Sequence, residues 1–278
     1  MTGLPIRTLF FTNNYDATLM SVQFLDRDHN LPASPEQIYS RFEFDHWMMT
    51  DAERSALAVL IDKLRPQCVI EIGTYRAGSL KVLSKHAEHV YSLDIDPSCK
   101  ENYSEQFPNV EFLVGFSKDT VPEALEKIED RGQELGFVLI DGGHSESGVR
   151  NDINALLKYK PSSPLYIIMH DSFNPGCRRG IRTANWEENP HVHLLELDYV
   201  VGRLMPKDEG SSYRQMWCGF ALAILLPELR TEELLVHENE SMGYKAAYWR
   251  SKHPYSWLWS IRDLKIVLRR LLGRFVPS

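Results

Sequence analysis

Cysteine is scarce and scattered: the 278-residue chain has four, Cys68, Cys99, Cys177 and Cys218. None forms a C-x-x-C pair, and three fall in or beside apolar runs. This is the pattern of buried free thiols in a reducing cytosol. Positive charge is not in excess either. The formal net charge is -7, so no global basic field attracts nucleic acid, and no nucleic-acid partner is expected. Long apolar runs are missing. The longest candidate, Phe220 to Pro227, has the length of a strand and cannot span a bilayer. The first residues, Met1 to Arg7, lack a charged segment followed by an apolar one. No signal peptide and a cytoplasmic location are therefore expected. The sequence shows no internal repeat and no low-complexity segment.

What is present is an ordinary globular balance, with enough apolar residues to fill a sizeable core. The length favours one α/β domain with extensions. Residues 1–66 read as an N-terminal extension, irregular at first, with strand-like Arg7–Phe11. They end in a helix opened by the capping box Thr50-Asp51-Ala52-Glu53. Residues 67–226 alternate strands with helices. Strands are expected at 68–72, 90–94, 110–114, 137–141 and 165–170. Helices are expected at 79–85, 98–107, 120–131 and 145–158. Two further strands, 194–201 and 217–225, read as an antiparallel closing pair joined by a polar loop from Pro206 to Ser212. The expected fold is Rossmann-like: a doubly wound, mainly parallel seven-stranded sheet with helices on both faces. Residues 227–278 read as a tail ending in a helix.

In such a sheet, ligands bind beyond the carboxyl ends of the strands, near the point where strand order reverses. The first strand ends in Glu71-Ile72-Gly73-Thr74-Tyr75-Arg76-Ala77-Gly78, and Ser79 opens the next helix. Glycines there permit a sharp turn and close approach of a ligand. Asp94 ends the second strand about 20 residues later, the separation expected of a ribose-binding acid. A plain structural turn plus a surface aspartate is the alternative. NAD is a competing ligand, but its G-x-G-x-x-G fingerprint cradles a pyrophosphate. Here Tyr75 replaces the central glycine and would crowd that group, so a ligand without phosphates fits better.

Two further motifs close strands four and five: Asp141-Gly142-Gly143-His144-Ser145 and His170-Asp171-Ser172. Neighbouring strand ends place two carboxylates and two imidazoles on the cofactor rim. Asp141 and Asp171 are hard oxygen donors of the kind Mg²⁺ accepts. A bound cation would lower the pKa of a hydroxyl acceptor. His144 is placed to take the hydroxyl proton as general base. His170 is open between metal ligand, a group supporting the ligands, and a base. The plain alternative is that Asp141 caps the following helix and the others bond to loop backbone.

Glu71-Ile72-Gly73-Thr74 resembles motif I of the class I S-adenosylmethionine-dependent methyltransferases. The resemblance runs through Leu93-Asp94-Ile95-Asp96 to Val114-Gly115-Phe116-Ser117-Lys118-Asp119, and covers residues 67 to about 226. It implies S-adenosylmethionine contacts at Glu71, Gly73, Thr74, Tyr75, Gly78, Ser79, Asp94, Ile95, Phe116, Ser117 and Asp141. The order IDGGHS, then HDSFNPG, is similar to the metal-dependent sugar O-methyltransferases typified by macrocin O-methyltransferase, with cephalosporin hydroxylase-like proteins as relatives. That likeness implies a divalent metal, Mg²⁺ by default, on Asp141, Asp171 and His170, with His144 and Asp141 catalytic. The family has an acid where His170 stands, which leaves the metal and the role of His170 open. The implied acceptor is a sugar hydroxyl on a natural product, polysaccharide or glycolipid, a carbohydrate modification in biosynthesis. The alternatives are a hydroxylase-like or non-catalytic cofactor-binding partner in a biosynthetic complex, and an NAD-dependent oxidoreductase.

Three flanking features remain. Arg178 and Arg179 can face an acidic or phosphorylated acceptor, or be solvated at a helix start. His46-Trp47-Met48-Met49 can cover the cofactor, or belong to the core. In the tail, Trp257, Ile261, Leu264, Leu268, Leu271 and Phe275 recur at helical spacing, with Arg262, Lys265, Arg269, Arg270 and Arg274 between them. Such a basic amphipathic helix can touch a membrane surface as a peripheral contact, or pack on its own domain or on a second subunit of a homo-oligomer.

Overall fold

The structure is a computed structural model, and it describes residues 48–205, 215–238 and 244–245. The strand expected near 7–11, His46-Trp47, the loop expected over 206–212 and the basic helix expected over 257–275 lie outside the described residues.

The described chain opens on the expected capping box. Thr50 caps α1 (Asp51–Leu64): its Oγ1 accepts from Glu53 N at 3.3 Å, and Glu53 Oε2 accepts from Thr50 N at 2.6 Å. The strands and helices then alternate as β1 (Cys68–Ile72), α2 (Gly78–His86), β2 (His89–Asp94), α3 (Pro97–Tyr103) and β3 (Val110–Val114). They continue as α4 (Ser117–Asp130), β4 (Leu135–Ile140), α5 (Glu146–Leu156), β5 (Leu165–His170) and α6 (Pro175–Arg182). Helix α3 stops earlier than the sequence pattern suggests. Pro108 disfavours helical backbone at Phe107, and residues 104–106 form a turn.

After α6 come β6 (Val192–Val200), β7 (Arg203–Met205), β8 (Gln215–Trp217), β9 (Phe220–Leu225) and β10 (Leu235–His237). The main sheet has the order β10-β6-β9-β5-β4-β1-β2-β3, and β7 pairs with β8 in a separate ribbon. Strand β9 runs antiparallel to both β5 and β6, while the remaining pairings are parallel. The sheet is therefore the expected Rossmann-like one with an antiparallel closing strand, but it has eight strands, not seven. The additional strand, β10, comes from the segment read as tail. Three residues are too short for a period-two signal to be seen in sequence. They are held by parallel pairing of Leu235, Val236 and His237 with Leu194, Leu195 and Glu196.

The parallel strands are buried on both faces, as a covered parallel sheet requires. Val69, Phe137, Leu139 and Ile168 pack with Leu57, Ile61, Leu80 and Leu83 of α1 and α2. Ile70, Ile72, Val138, Ile140 and Ile167 pack with Val121, Ile128, Val149, Ile153 and Ile181 of α4, α5 and α6. Met49 joins the first of these cores, whereas Met48 is exposed. All four cysteines are buried and free. No helix among the described residues is long and apolar enough to cross a membrane.

Candidate active site

Strand order reverses between β1 and β4, and register brings their ends together. Ile72 pairs with Ile140, and Asp141 N donates to Ile72 O at 2.8 Å. Gly73 consequently abuts Asp141. A Cβ on Gly73 would lie 2.2 Å from Asp141 O, and its φ is +96°. Only glycine meets both demands. The turn that follows is strained as well, with Tyr75 at φ 45° and Ala77 at φ 57°. Left-handed backbone at residues other than glycine concentrates where function demands it.

Asp94 holds this turn. Its Oδ2 accepts from Thr74 N at 2.9 Å and Tyr75 N at 3.0 Å, and its Oδ1 accepts from Asp96 N at 2.9 Å. A carboxylate offers about four lone-pair sites, so capacity remains toward the adjoining cavity. Glu71 lies beneath, fully buried, accepting from Ser79 Oγ at 2.6 Å and Ser92 Oγ at 2.7 Å. Thr74 Oγ1 joins this group, 2.7 Å from Ser92 Oγ. Burial pushes the Glu71 carboxyl up to about 8, against the opposing hydrogen bonds from Ser79 and Ser92.

A cavity of about 500 Å³ opens over the turn, a size suited to a small-molecule ligand. Of the residues expected to contact a cofactor, Gly73, Tyr75, Asp94, Ile95, Phe116, Ser117 and Asp141 line it. Glu71, Thr74, Gly78 and Ser79 do not. They form the floor and the helix start that shape the turn. His144 lines the same cavity, so cofactor side and chemical side share one space. Asp96 and Asp152 also line it, and among the described residues no Lys or Arg does. Asp152 escaped the sequence reading because it sits mid-helix in α5, where an acid usually faces solvent. It is buried and takes a short hydrogen bond from Ser117 Oγ.

The chemical side is built on the next two strand ends. Ile140 pairs with Met169 in the β4–β5 register, so Asp141 and His170 stand side by side. His170 Nδ1 is 2.8 Å from Asp141 Oδ1 and 3.6 Å from Asp171 Oδ2. His144 Nδ1 is 2.8 Å from the same Asp171 oxygen. Asp141, His170 and Asp171 offer ligand atoms all within 4.8 Å of one another. Two carboxylates and an imidazole so spaced fit a divalent cation. Asp141 does not cap α5; Ser145 does, accepting from Gly148 N at 3.0 Å. The histidines pair with carboxylates and not with loop backbone.

Glu53 is the participant that motif reading missed. The capping-box pattern identified it, and that role is sufficient to explain a glutamate at this position in α1. In the fold it is fully buried, and its Oε1 is 3.0 Å from His170 Nε2. The bend between β8 and β9 ties both carboxylates down with consecutive amides: Cys218 N donates to Asp171 Oδ1 and Gly219 N to Glu53 Oε1, each at 2.6 Å. Asp171 (φ 57°) and Cys218 (φ 66°) take left-handed backbone to do this.

Charge pairing governs protonation here. Burial opposes a charged His170, but Asp141, Glu53 and Asp171 outweigh it and hold its pKa well above the imidazole range. Burial likewise pushes Glu53 and Asp171 up, and their histidine partners outweigh it, leaving both below the usual carboxylate value. His144 is raised to about 10, foremost by its hydrogen bond to Asp171 and then by Cys177. With the Asp171 carboxylate free to pair with it, His144 keeps its proton at neutral pH.

Arg178 is not available to an acceptor. It is almost fully buried, with Nη2 2.9 Å from Asp198 Oδ1 and 3.1 Å from Glu238 Oε1, beneath the Tyr244 ring. Its helix turns that side inward. Arg179 is on the surface, bonded to Glu146 at 2.9 Å.

Residues 70–172 match the family model described as a methyltransferase domain. No curated protein matches the chain. Among solved structures, cofactor-bound Rv0187 from MTB is 19% identical, with 77% of this chain and 94% of that chain covered and a TM-score of 0.47. The O-methyltransferase TomG from Streptomyces achromogenes, involved in tomaymycin synthesis and solved with SAM, is 13% identical over 74% and 93%, TM-score 0.46. The O-methyltransferase from Bacillus cereus in complex with SAH is 16% identical over 72% and 94%, TM-score 0.41. The sheet order defines a Rossmann-like α/β fold, and the stretch 70–172 within it is similar to a methyltransferase domain.

Proposed function

We propose that the chain is an S-adenosylmethionine-dependent O-methyltransferase, assisted by a divalent cation, with a sugar hydroxyl as its acceptor. One observation carries the reading: among the described residues, the cavity over the glycine turn is lined by Asp94, Asp96, Asp141 and Asp152, without Lys or Arg, and ends at His144. A pyrophosphate would meet four carboxylates there. A cationic sulfonium ligand without phosphates would meet complementary charge.

Asp94 and the amides it aligns would hold the ribose end, Phe116 and Ile95 would give apolar contact, and Asp141 would lie toward the reactive end. Asp141, His170 and Asp171 would hold the cation, which would supply Lewis acidity to the acceptor hydroxyl and would engage the Asp171 charge that keeps His144 protonated. His144, once it has lost its own proton to solvent, would be the base that takes the hydroxyl proton. Trp217, with its ring centroid 5.7 Å from that of His144, presents an aromatic surface suited to a sugar face. The order IDGGHS then HDSFNPG supports the sugar acceptor, and the basic, helically spaced sequence of 257–275 supports a glycolipid at a membrane surface. Mg²⁺ is the expected ion, since the oxygen donors are hard.

The test is transfer of labelled methyl from S-adenosylmethionine to a panel of glycosides and glycolipids, with Mg²⁺ or with chelator. Transfer that stops with chelator is expected. Full transfer in chelator would remove the cation, transfer only to acceptors without sugars would remove the acceptor class, and failure to bind S-adenosylmethionine would remove the whole reading.

A further inference from the structure

Glu53 lies outside the stretch that matches the methyltransferase family model, on a helix that precedes β1. A cap glutamate is ordinarily solvated, because its task is at an exposed helix end. This one is fully buried and its two oxygens face different ways. Oε2 serves the cap, accepting from Thr50 N at 2.6 Å and Thr50 Oγ1 at 2.7 Å. Oε1 points into the site, accepting from Gly219 N and approaching His170 Nε2 to 3.0 Å.

The ring of His170 is thereby enclosed between carboxylates. Nδ1 faces Asp141 and Asp171, the two candidate cation ligands. Nε2 is buried, its contact with Glu53 being an ion-pair approach without the alignment of a hydrogen bond. Phe220 stands edge-on beside the ring at 5.6 Å between centroids and closes another side. A histidine that ligates through one nitrogen needs a partner for the other, and a carboxylate there fixes the tautomer and strengthens the donor. A buried carboxylate is costly unless something charged or hydrogen-bonding meets it. Glu53 and His170 answer each other's requirement.

We propose that Glu53 is a positioning residue for the cation site: it holds His170 with Nε2 toward α1 and Nδ1 toward Asp141 and Asp171. The inference rests on the cation reading of that site. It assigns α1, which the motif-bearing region does not contain, a part in building the metal centre. It also explains why the Cys218–Gly219 bend secures Asp171 and Glu53 together. One short turn fixes the ligand and the group behind its neighbour.

The experiment uses the full chain and Mn²⁺ alone, without acceptor or S-adenosylmethionine, with bound ion read from the loss of the free-ion electron paramagnetic signal. Glu53→Gln keeps the size of the side chain and removes its charge. It is expected to weaken Mn²⁺ binding by about 10- to 100-fold. Thr50→Ala removes the capping hydroxyl, keeps the Thr50 N–H bond to Glu53 and leaves the His170 contact, so its Mn²⁺ affinity is expected to equal that of the wild type while its thermal midpoint falls. Glu53→Asp, which keeps the charge, is expected between the wild type and Glu53→Gln, and serves if the glutamine variant does not fold. Unchanged affinity in Glu53→Gln overturns the proposal. So does equal weakening in Thr50→Ala, which would mean that α1 had only come loose. If the wild type binds no Mn²⁺, the cation reading itself fails, a result distinct from either of these.

Discussion

The two halves of the cavity rim are built differently. The glycine-turn half draws on residues 71–117, and its working parts are backbone amides gathered on one carboxylate, Asp94. The acid–histidine half gathers Glu53, Asp141, His144, His170, Asp171 and the Cys218–Gly219 amides from most of the described length. The first half needs shape, and glycine and strained backbone provide it. The second needs charge of both signs in a buried place, which only converging strands and a helix can assemble. Shape is local and contiguous; buried charge must be balanced from a distance.

Substitutions should separate these halves. The largest effect is expected on turnover. His144→Ala or Asp141→Asn should lower the rate about 10²- to 10⁴-fold, the scale of a lost general base or its neighbour. S-adenosylmethionine affinity, measured by calorimetry, should stay near that of the wild type. Comparable loss of affinity in both would show that the halves do not act separately. Gly73→Ala should do the reverse, since its Cβ meets the Asp141 carbonyl at 2.2 Å. Overpacking against a fixed carbonyl costs about 1–3 kcal/mol, so a roughly 10- to 100-fold fall in cofactor affinity is expected, with a lowered thermal midpoint. An unaffected midpoint would mean that the turn relaxes freely.

A third prediction concerns pH. Glu71 is raised to about 8 by burial, above its value in the unfolded chain. Its protonated form therefore adds stability that is fully present below about 4.5 and is lost as pH rises through about 8, up to a few kcal/mol in scale. Glu71→Gln, which stays neutral, should flatten stability measured by denaturant between those limits. A slope unchanged from the wild type would contradict the buried neutral acid. The smallest effect is expected for Ser79→Ala, which removes one of two hydroxyl partners of Glu71. It should cost about 1 kcal/mol in chemical denaturation and leave turnover intact.

The same contrast explains what could be read from the chain. Glu71-Ile72-Gly73, Asp94 and Asp141-Gly142-Gly143-His144 are contiguous strand-end motifs, and alternation of strand and helix placed them on one rim. The short strand β10 was illegible because three residues carry no periodic pattern. Asp152 belongs to no motif, and Arg178 read equally as facing an acceptor or as solvated; only the fold shows that both are buried. Glu53 was legible as a cap, and that sufficient local reason concealed its second task.

The sequence by itself determined the parallel sheet, the glycine turn, the acid after it and the motifs at the ends of β4 and β5, because these follow from short-range patterning and from spacing along single strands. Only the tertiary structure decided that β10 completes the sheet, that Glu71 and Ser79 lie beneath the cavity, and that Glu53 meets His170. Those outcomes depend on register and on helix packing between segments as far apart as Glu53 and Gly219. A buried charge selects its partner by proximity in space, which the order of residues along the chain does not record.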